Sequence, residues 1–272
     1  GGAASTGRAY IFYGDGQIPT GAATADVTIT GNAASDLFGG ALTAGDFNAD
    51  GKTDLAVGAY GYSTSTGRAY IFYGDSSIPT TAGTADVTIT GRGTSNYFGY
   101  ALTVGDLNFD GKTDLAVGAY GYGGNAGEVY LFYNGAIITE NASGADVIIS
   151  HDGNTWQFGY ALGVGDFDAD GDTDLVAGAP AYAANTGRAY IFYNDGSYPG
   201  THASADITIT GEGGLGSAFA SGDFNADGRI DLVVGGYLAS SFAGRVYVLY
   251  NDGSIPTTAA TADVIISGEA IN

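Results

Sequence analysis

Apolar and polar residues alternate along this chain in short runs, and the four runs at 41–44, 55–59, 68–73 and 86–90 are separated by Gly, Asn, Asp or Pro. Such punctuation predicts short strands joined by turns. The runs differ in character. Leu55-Ala56-Val57-Gly58-Ala59 is small and apolar, which suits a crowded place near a central axis. Ala69-Tyr70-Ile71-Phe72-Tyr73 is apolar on both faces, so sheets should cover it on both sides. Val87-Thr88-Ile89-Thr90 alternates, as in a strand with one wet face.

The same order of runs recurs. Gly45-Asp46-Phe47-Asn48-Ala49-Asp50-Gly51 returns with its first Asp at positions 106, 166 and 223, in steps of 60, 60 and 57 residues. A four-stranded unit graded from small inner to half-exposed outer strands, repeated at this period, predicts an all-β protein, a β-propeller of four-stranded antiparallel blades. A β-solenoid, with coils of about 20–30 residues, leaves the gradient without a reason. The chain therefore reads as a single propeller region, 1–272, divided into a half-blade at 1–30 and blades at 31–90, 91–150, 151–210 and 211–272. The third-and-fourth-strand hairpin begins five times, at Arg8, Arg68, Glu128, Arg188 and Arg245, whereas the inner pair occurs four times. The surplus hairpin carries an apolar edge that should not be left in water. The chain is thus expected to be a segment of a longer polypeptide, or to complete a sheet with another chain through residues 8–30.

Composition sharpens this picture. With 48 Gly, 20 Tyr and 13 Phe the chain is rich in turn and strand formers. It has no Met, which implies a processed product or a piece of something longer, and no Cys, which excludes a disulfide framework. No apolar run approaches the ~18 residues of a membrane span, so the chain reads as soluble, without membrane insertion. The formal charge of -21 opposes nucleic acid and anionic membranes and favours divalent cations as counter-charge.

The recurring loop supplies places for them. Asp46, Asn48, Asp50 and Asp54 put oxygen-bearing side chains at loop positions 1, 3, 5 and 9, with Gly51 at the sharp turn and Lys52 offering its backbone carbonyl at position 7. Hard oxygen donors without His or Cys favour Ca²⁺ over zinc or copper. The constellation repeats as Asp106, Asn108, Asp110, Lys112 and Asp114; as Asp166, Asp168, Asp170, Asp172 and Asp174; and as Asp223, Asn225, Asp227, Arg229 and Asp231. Four Ca²⁺ sites are expected. The alternative is a set of metal-free Asx turns, in which the carboxylates of each loop would repel one another. An EF-hand is disfavoured, since no bidentate Glu stands at position 12 and strands flank the loop.

These residues resemble the FG-GAP repeat family, best known from the propellers of integrin α-subunits. Phe38-Gly39, Phe98-Gly99 and Phe158-Gly159 match its FG element, and Gly178-Ala179-Pro180 its GAP element. Gly58-Ala59-Tyr60 and Gly118-Ala119-Tyr120 replace the proline, and the last unit departs further, with Leu215-Gly216 and Gly235-Gly236-Tyr237. The resemblance covers essentially the whole chain and implies a calcium-binding propeller, with the rim opposite the calcium loops as the ligand side.

Strand alternation places the calcium loops and the 3-to-4 turns on one rim, and the 2-to-3 and 4-to-1 loops on the other. The second rim receives Tyr60, Tyr62, Tyr120, Tyr122, Tyr182 and Tyr237, with Tyr97 and Trp156 from the 4-to-1 loops. They form either an aromatic platform for a protein or glycan or amphipathic packing between blades. Arg8, Arg68, Arg188 and Arg245 open third strands and Asp26, Asp86, Asp206 and Asp263 fourth strands, at opposite ends, so solvated or loop-bonded roles are expected. His151 and His202 read as separate surface residues. No Ser-His-Asp or Cys-His set, phosphate loop or free carboxylate pair can be assembled, so the chain is read as a non-enzyme.

Three functions remain open. The first is a secreted or cell-surface module for recognition or adhesion, stabilised by calcium and binding a protein or glycan. The second is an architectural segment of a large surface protein or fibre. The third is the noncatalytic propeller of a secreted polysaccharide-active enzyme.

Overall fold

Every run singled out by its hydrophobic pattern is a β-strand. The structure, a computed structural model, describes residues 6–14, 21–75, 77–134, 140–153 and 155–269; the parts of the expected units at 1–5, 15–20, 76, 135–139, 154 and 270–272 lie outside the described residues. Among the described residues the strands are β1 (Arg8–Ile11), β2 (Val27–Thr30), β3 (Phe38–Gly45), β4 (Asp54–Ala59), β5 (Arg68–Phe72), β6 (Val87–Thr90), β7 (Ala101–Gly105), β8 (Asp114–Ala119), β9 (Glu128–Phe132), β10 (Val147–Ser150), β11 (Leu162–Gly165), β12 (Asp174–Ala179), β13 (Arg188–Phe192), β14 (Ile207–Thr210), β15 (Leu215–Gly222), β16 (Asp231–Gly236), β17 (Arg245–Leu249) and β18 (Val264–Ser267).

Neighbours in sequence are neighbours in the sheets. β3 to β6, β7 to β10, β11 to β14 and β15 to β18 each form a four-stranded antiparallel sheet, and β1 with β2 forms a two-stranded one. In the first complete sheet Leu42 faces Val57, Val57 faces Tyr70 and Tyr70 faces Thr88. Hydrophobic clusters fill the spaces between successive sheets: Ala69, Ile71 and Ile89 of one sheet share a core with Leu115, Val117 and Tyr130 of the next. β5 and β13 thereby have both faces covered, as their uninterrupted apolar pattern demands. The fold is a β-propeller arrangement of four complete blades preceded by a half-blade.

The Phe-Gly element links each blade to the one before it. Phe98 lies edge-on to Tyr130 at 5.3 Å and to Phe132 at 6.3 Å within its own blade, which fills the aromatic core. Its backbone meanwhile forms a parallel bridge to Gly67 of the preceding blade, a contact repeated at Gly7–Phe38, Gly127–Phe158 and Gly187–Leu215. Gly67 has φ +82, and a Cβ there would overlap the carbonyl oxygen of Phe98. Only glycine meets both requirements. This element also explains why β3 begins at Phe38 rather than at 41: a register shift between Phe38 and Ala41 lets the Phe-Gly segment stay paired with β4.

The inner strands follow one another, β3 on β7, β7 on β11 and β11 on β15, and β15 is not packed on β3 in the same way. The described residues therefore form an arc. At one end Ala9 and Ile29 of the surplus hairpin are buried against Phe38, Val57 and Tyr70. At the other, β18 is exposed throughout.

Candidate metal loops and aromatic rim

The four Asp-rich loops share one hydrogen-bond plan. In the first, Asp46 accepts from the backbone N–H of Asp50 at 3.1 Å and of Gly51 at 2.8 Å, and Asn48 accepts from Asp50 N–H at 3.0 Å. Asp50 accepts from Lys52 N–H at 2.9 Å. Gly51 takes φ +81 at the turn. Asp54, the first residue of β4, is buried, and it accepts from Phe47 N–H at 2.8 Å and, across the sheet, from Gly74 N–H at 2.7 Å. One carboxylate thus fastens the loop to the 3-to-4 connection. Asp114, Asp174 and Asp231 repeat this with Asn134, Asn194 and Asn251. Asn134 also donates to the Asp46 carbonyl of the preceding blade at 3.1 Å, which places loops and 3-to-4 connections on one rim.

Burial makes these loops electrostatically expensive. It pushes the Asp174 carboxyl up to about 7 and that of Asp114 up to about 6, with nearby loop carboxylates adding to each rise; Asp54 is raised for the same reasons. The third loop is the most acidic, for Asp172 replaces the lysine of the first two. There, carboxylate oxygens of Asp166, Asp168 and Asp174 lie within 4.8 Å of one another, and those of Asp168, Asp170 and Asp195 form a second such group. Asp195 went unrecognised in the sequence. Its signal was the acid that follows the third strand, recurring as Asp75 and Asp252.

On the opposite rim the aromatic residues divide into two groups. Tyr60, Tyr97 and Tyr120 join Tyr100 and Tyr160 in a continuous belt: Tyr97 stacks on Tyr120 at 4.8 Å, and Tyr100 sits 4.9 Å from Tyr60, 4.6 Å from Tyr120 and 4.8 Å from Tyr160. Burial pushes the Tyr120 phenol up to about 12. Tyr100 and Tyr160 were missed; both follow a Phe-Gly pair. Tyr62, Tyr122 and Tyr182 instead have faces capped by guanidinium groups, Arg68 at 3.6 Å, Arg92 at 4.8 Å and Arg188 at 3.7 Å. Trp156 packs edge-on to Tyr182 at 4.2 Å, and Tyr237 is half exposed.

The charged residues adjust blade by blade. Asp26, Asp86, Asp206 and Asp263 accept from backbone N–H groups at the ends of the third strands, as with Tyr73 and Asp86 at 2.8 Å, which is the loop-bonded role expected. Where Glu128 replaces the strand-opening arginine, Arg92 arrives from the preceding connection and pairs with it at 3.5 Å. The histidines depart from expectation. His151 and His202 are buried and stacked at 3.5 Å, brought together because Ser150 bridges Thr201 across the seam between blades. Burial, and then the neighbouring His202, pushes His151 down to about 4. Their 51-residue separation carries no local pattern from which this meeting could be read.

Comparison with known proteins places this geometry. The FG-GAP repeat description matches residues 38–72, 98–132, 158–192 and 215–249, each span running from the first strand of a blade or its Phe-Gly through the third strand. Phosphatidylinositol-glycan-specific phospholipase D of Bos taurus is 36% identical over 177 residues, 59% of this chain and 21% of that protein. Integrin alpha-PS2 of Drosophila melanogaster is 31% identical over 220 residues, 74% of this chain and 15% of the integrin. Integrin alpha-V of Gallus gallus is 27% identical over 221 residues, 78% of this chain and 21% of the integrin. The chain spans about a fifth of the length of such relatives. With matched repeats occupying half of its residues and one repeat in each complete blade, the chain belongs to the FG-GAP repeat family.

Proposed function

We propose that this chain is a calcium-stabilised extracellular recognition or adhesion module, part of a single propeller region, that binds a protein or glycan through its aromatic rim. The belt of Tyr60, Tyr97, Tyr100, Tyr120 and Tyr160 carries the reading. It is a half-buried, continuous aromatic surface on the rim opposite the metal loops. Likeness to integrin alpha chains supports the same reading.

Calcium fits the loops by donor chemistry. Each gathers carboxylate oxygens, joined by an amide oxygen in all but the third, without nitrogen or sulfur ligands, and the burial that raises Asp114 and Asp174 is the cost a divalent cation offsets. Asp46, Asp106, Asp166 and Asp223 would supply the first ligand of each site. Affinities typical of extracellular calcium modules, about 10⁻⁴–10⁻³ M, would fill such sites outside cells and leave them empty in cytosol.

A second reading is the noncatalytic propeller of a secreted enzyme, favoured by likeness to a phospholipase D of which the chain covers about a fifth. In either setting the edge of β1, which among the described residues pairs only with β2, and the exposed face of β15 to β18 are where further blades or another chain would join. Glycan-array and cell-surface binding by the calcium-loaded chain tests the main reading. Binding that falls at least about tenfold in Tyr97→Ala and Tyr120→Ala supports it; binding indifferent to both substitutions removes the aromatic rim as the ligand site.

A further inference from the structure

The chain contains two histidines, and both occur where the other blades carry the smallest residues. His151 follows β10 at the position of Gly31, Gly91 and Gly211 after the other fourth strands; His202 opens a turn that begins with Ala22, Ala82, Ala142 and Ala259 elsewhere. They meet at the seam between the second and third blades, His151 with a fully buried side chain and His202 with a side chain 10% exposed. Among the described residues, neither nitrogen of His151 nor Nδ1 of His202 has a partner at good hydrogen-bond geometry. A buried polar atom left unpaired destabilises the fold, and here three are concentrated in one seam. Asp152 stands at its mouth, 74% exposed, with Oδ1 at 3.7 Å both from His151 Nδ1 and from His202 Nε2. Those separations are too long for hydrogen bonds and close to the roughly 3.3 Å between two ligand atoms bound tetrahedrally to one ion at about 2.0 Å.

We propose that His151, His202 and Asp152 form a binding site for a borderline transition-metal dication of the Zn²⁺ class, which pins the second blade to the third. The imidazole and carboxylate donors distinguish it from the oxygen-only loops on the rim. Three protein ligands leave a fourth position for water, and the exposed carboxylate provides the entry path. Binding turns the two rings out of their near-parallel stack, 16° between planes, so that one nitrogen of each faces the ion.

The chain's one tryptophan reports on the site, since Trp156 lies 4.4 Å from His151. The test titrates the full chain with Co²⁺ or Ni²⁺ in millimolar calcium, which occupies the loops, and follows Trp156 fluorescence and Co²⁺ ligand-field absorption. Saturable quenching at one equivalent, reversed by Zn²⁺, is expected. Affinity falls at least about tenfold in His151→Gly and His202→Ala, which install the residues of the other blades, and Zn²⁺ raises the melting temperature of the parent chain but of neither variant. If those variants fold poorly, Asp152→Asn at the exposed mouth serves instead, with the same loss expected. Quenching that does not saturate, or equal affinity in the parent and the folded variants, overturns the proposal and leaves the histidine pair as packing.

Discussion

The third and fourth complete blades are built to one plan, yet among the described residues only the third has a neighbour on its outgoing face. Ile209 of β14 and Ile266 of β18 hold the same register, opposite Ala189 and Val246, but Ile209 is fully buried and Ile266 is 56% exposed. Ile29, Ile89 and Ile149, the same position in the earlier units, are also fully buried. Gly178 lies so close to the next blade that a Cβ would overlap the carbonyl oxygen of Gly216, whereas at Gly235 the nearest atom would be the Ala218 Cβ at 3.3 Å. Around Gly235 an apolar hollow of about 370 Å³ is lined by Ala218, Tyr237, Val246 and Ile266. The lesson is that burial of an outer strand here belongs to the seam, not to the blade: the sequence of each blade specifies a surface that its successor completes.

The largest expected effect tests the seam directly. Gly178→Ala sets a methyl group against a backbone oxygen that no rotamer change can move, so it should destabilise by about 3 kcal/mol or more. Gly235→Ala should stay within about 0.5 kcal/mol of the parent. Denaturant midpoints of the two variants measure the difference. Equal losses would mean that the last blade is covered in solution.

Next in size, Ile209→Ala should cost about 2–5 kcal/mol as a core truncation, and Ile266→Ala within about 0.5 kcal/mol as a surface change. Amide hydrogen exchange adds a spatial check, since β18 should exchange faster than β14 in the parent chain. Similar protection of the two strands would erase the contrast.

Removing calcium ranks third when counted per site. A site held at ten times its Kd contributes about 1.4 kcal/mol, so chelation should lower the melting temperature. The terminal blade, supported on one side, should open first by hydrogen exchange. A melting curve unchanged in chelator would restrict the loops to turn formation.

What could be read from the sequence follows from how far apart the cooperating residues stand. The strands and the hydrogen-bond plan of the Asp-rich loops were legible because each is local: four strand patterns lie within one 60-residue period, and Asp46 to Asp54 lie within one loop. Coverage of Ala69 to Phe72 on both faces was legible for the same reason. The belt through Tyr100 and Tyr160, the Arg92–Glu128 pair and the stacked histidines were not, because each forms across a seam whose register depends on bridges such as Ser150–Thr201. Glu128 and Arg92, read singly, are two surface charges; only the juxtaposition of blades makes them partners.

The smallest expected effect concerns Asp170, and its size should depend on calcium. In the third loop Asp170 accepts the Asp172 N–H at 2.9 Å and stands beside Asp168 and Asp195. Losing one carboxylate ligand should weaken calcium binding about tenfold, which removes up to about 1.4 kcal/mol where calcium is abundant. In chelator the same substitution gives up one loop hydrogen bond but relieves the repulsion that, after desolvation, adds to the rise of Asp168 and Asp172, so stability should be nearly unchanged. Asp227 of the last blade provides the control. It makes the equivalent bond to Arg229 N–H at 2.9 Å, with Asn225 and Arg229 where the third loop has Asp168 and Asp172, so its loop carries less repulsion to relieve. Asp227→Ala should therefore cost more than Asp170→Ala in chelator. Paired melting curves of both variants, with and without calcium, measure this, and a cost for Asp170→Ala that is the same in both buffers would mean that its carboxylate shapes the turn without binding the ion.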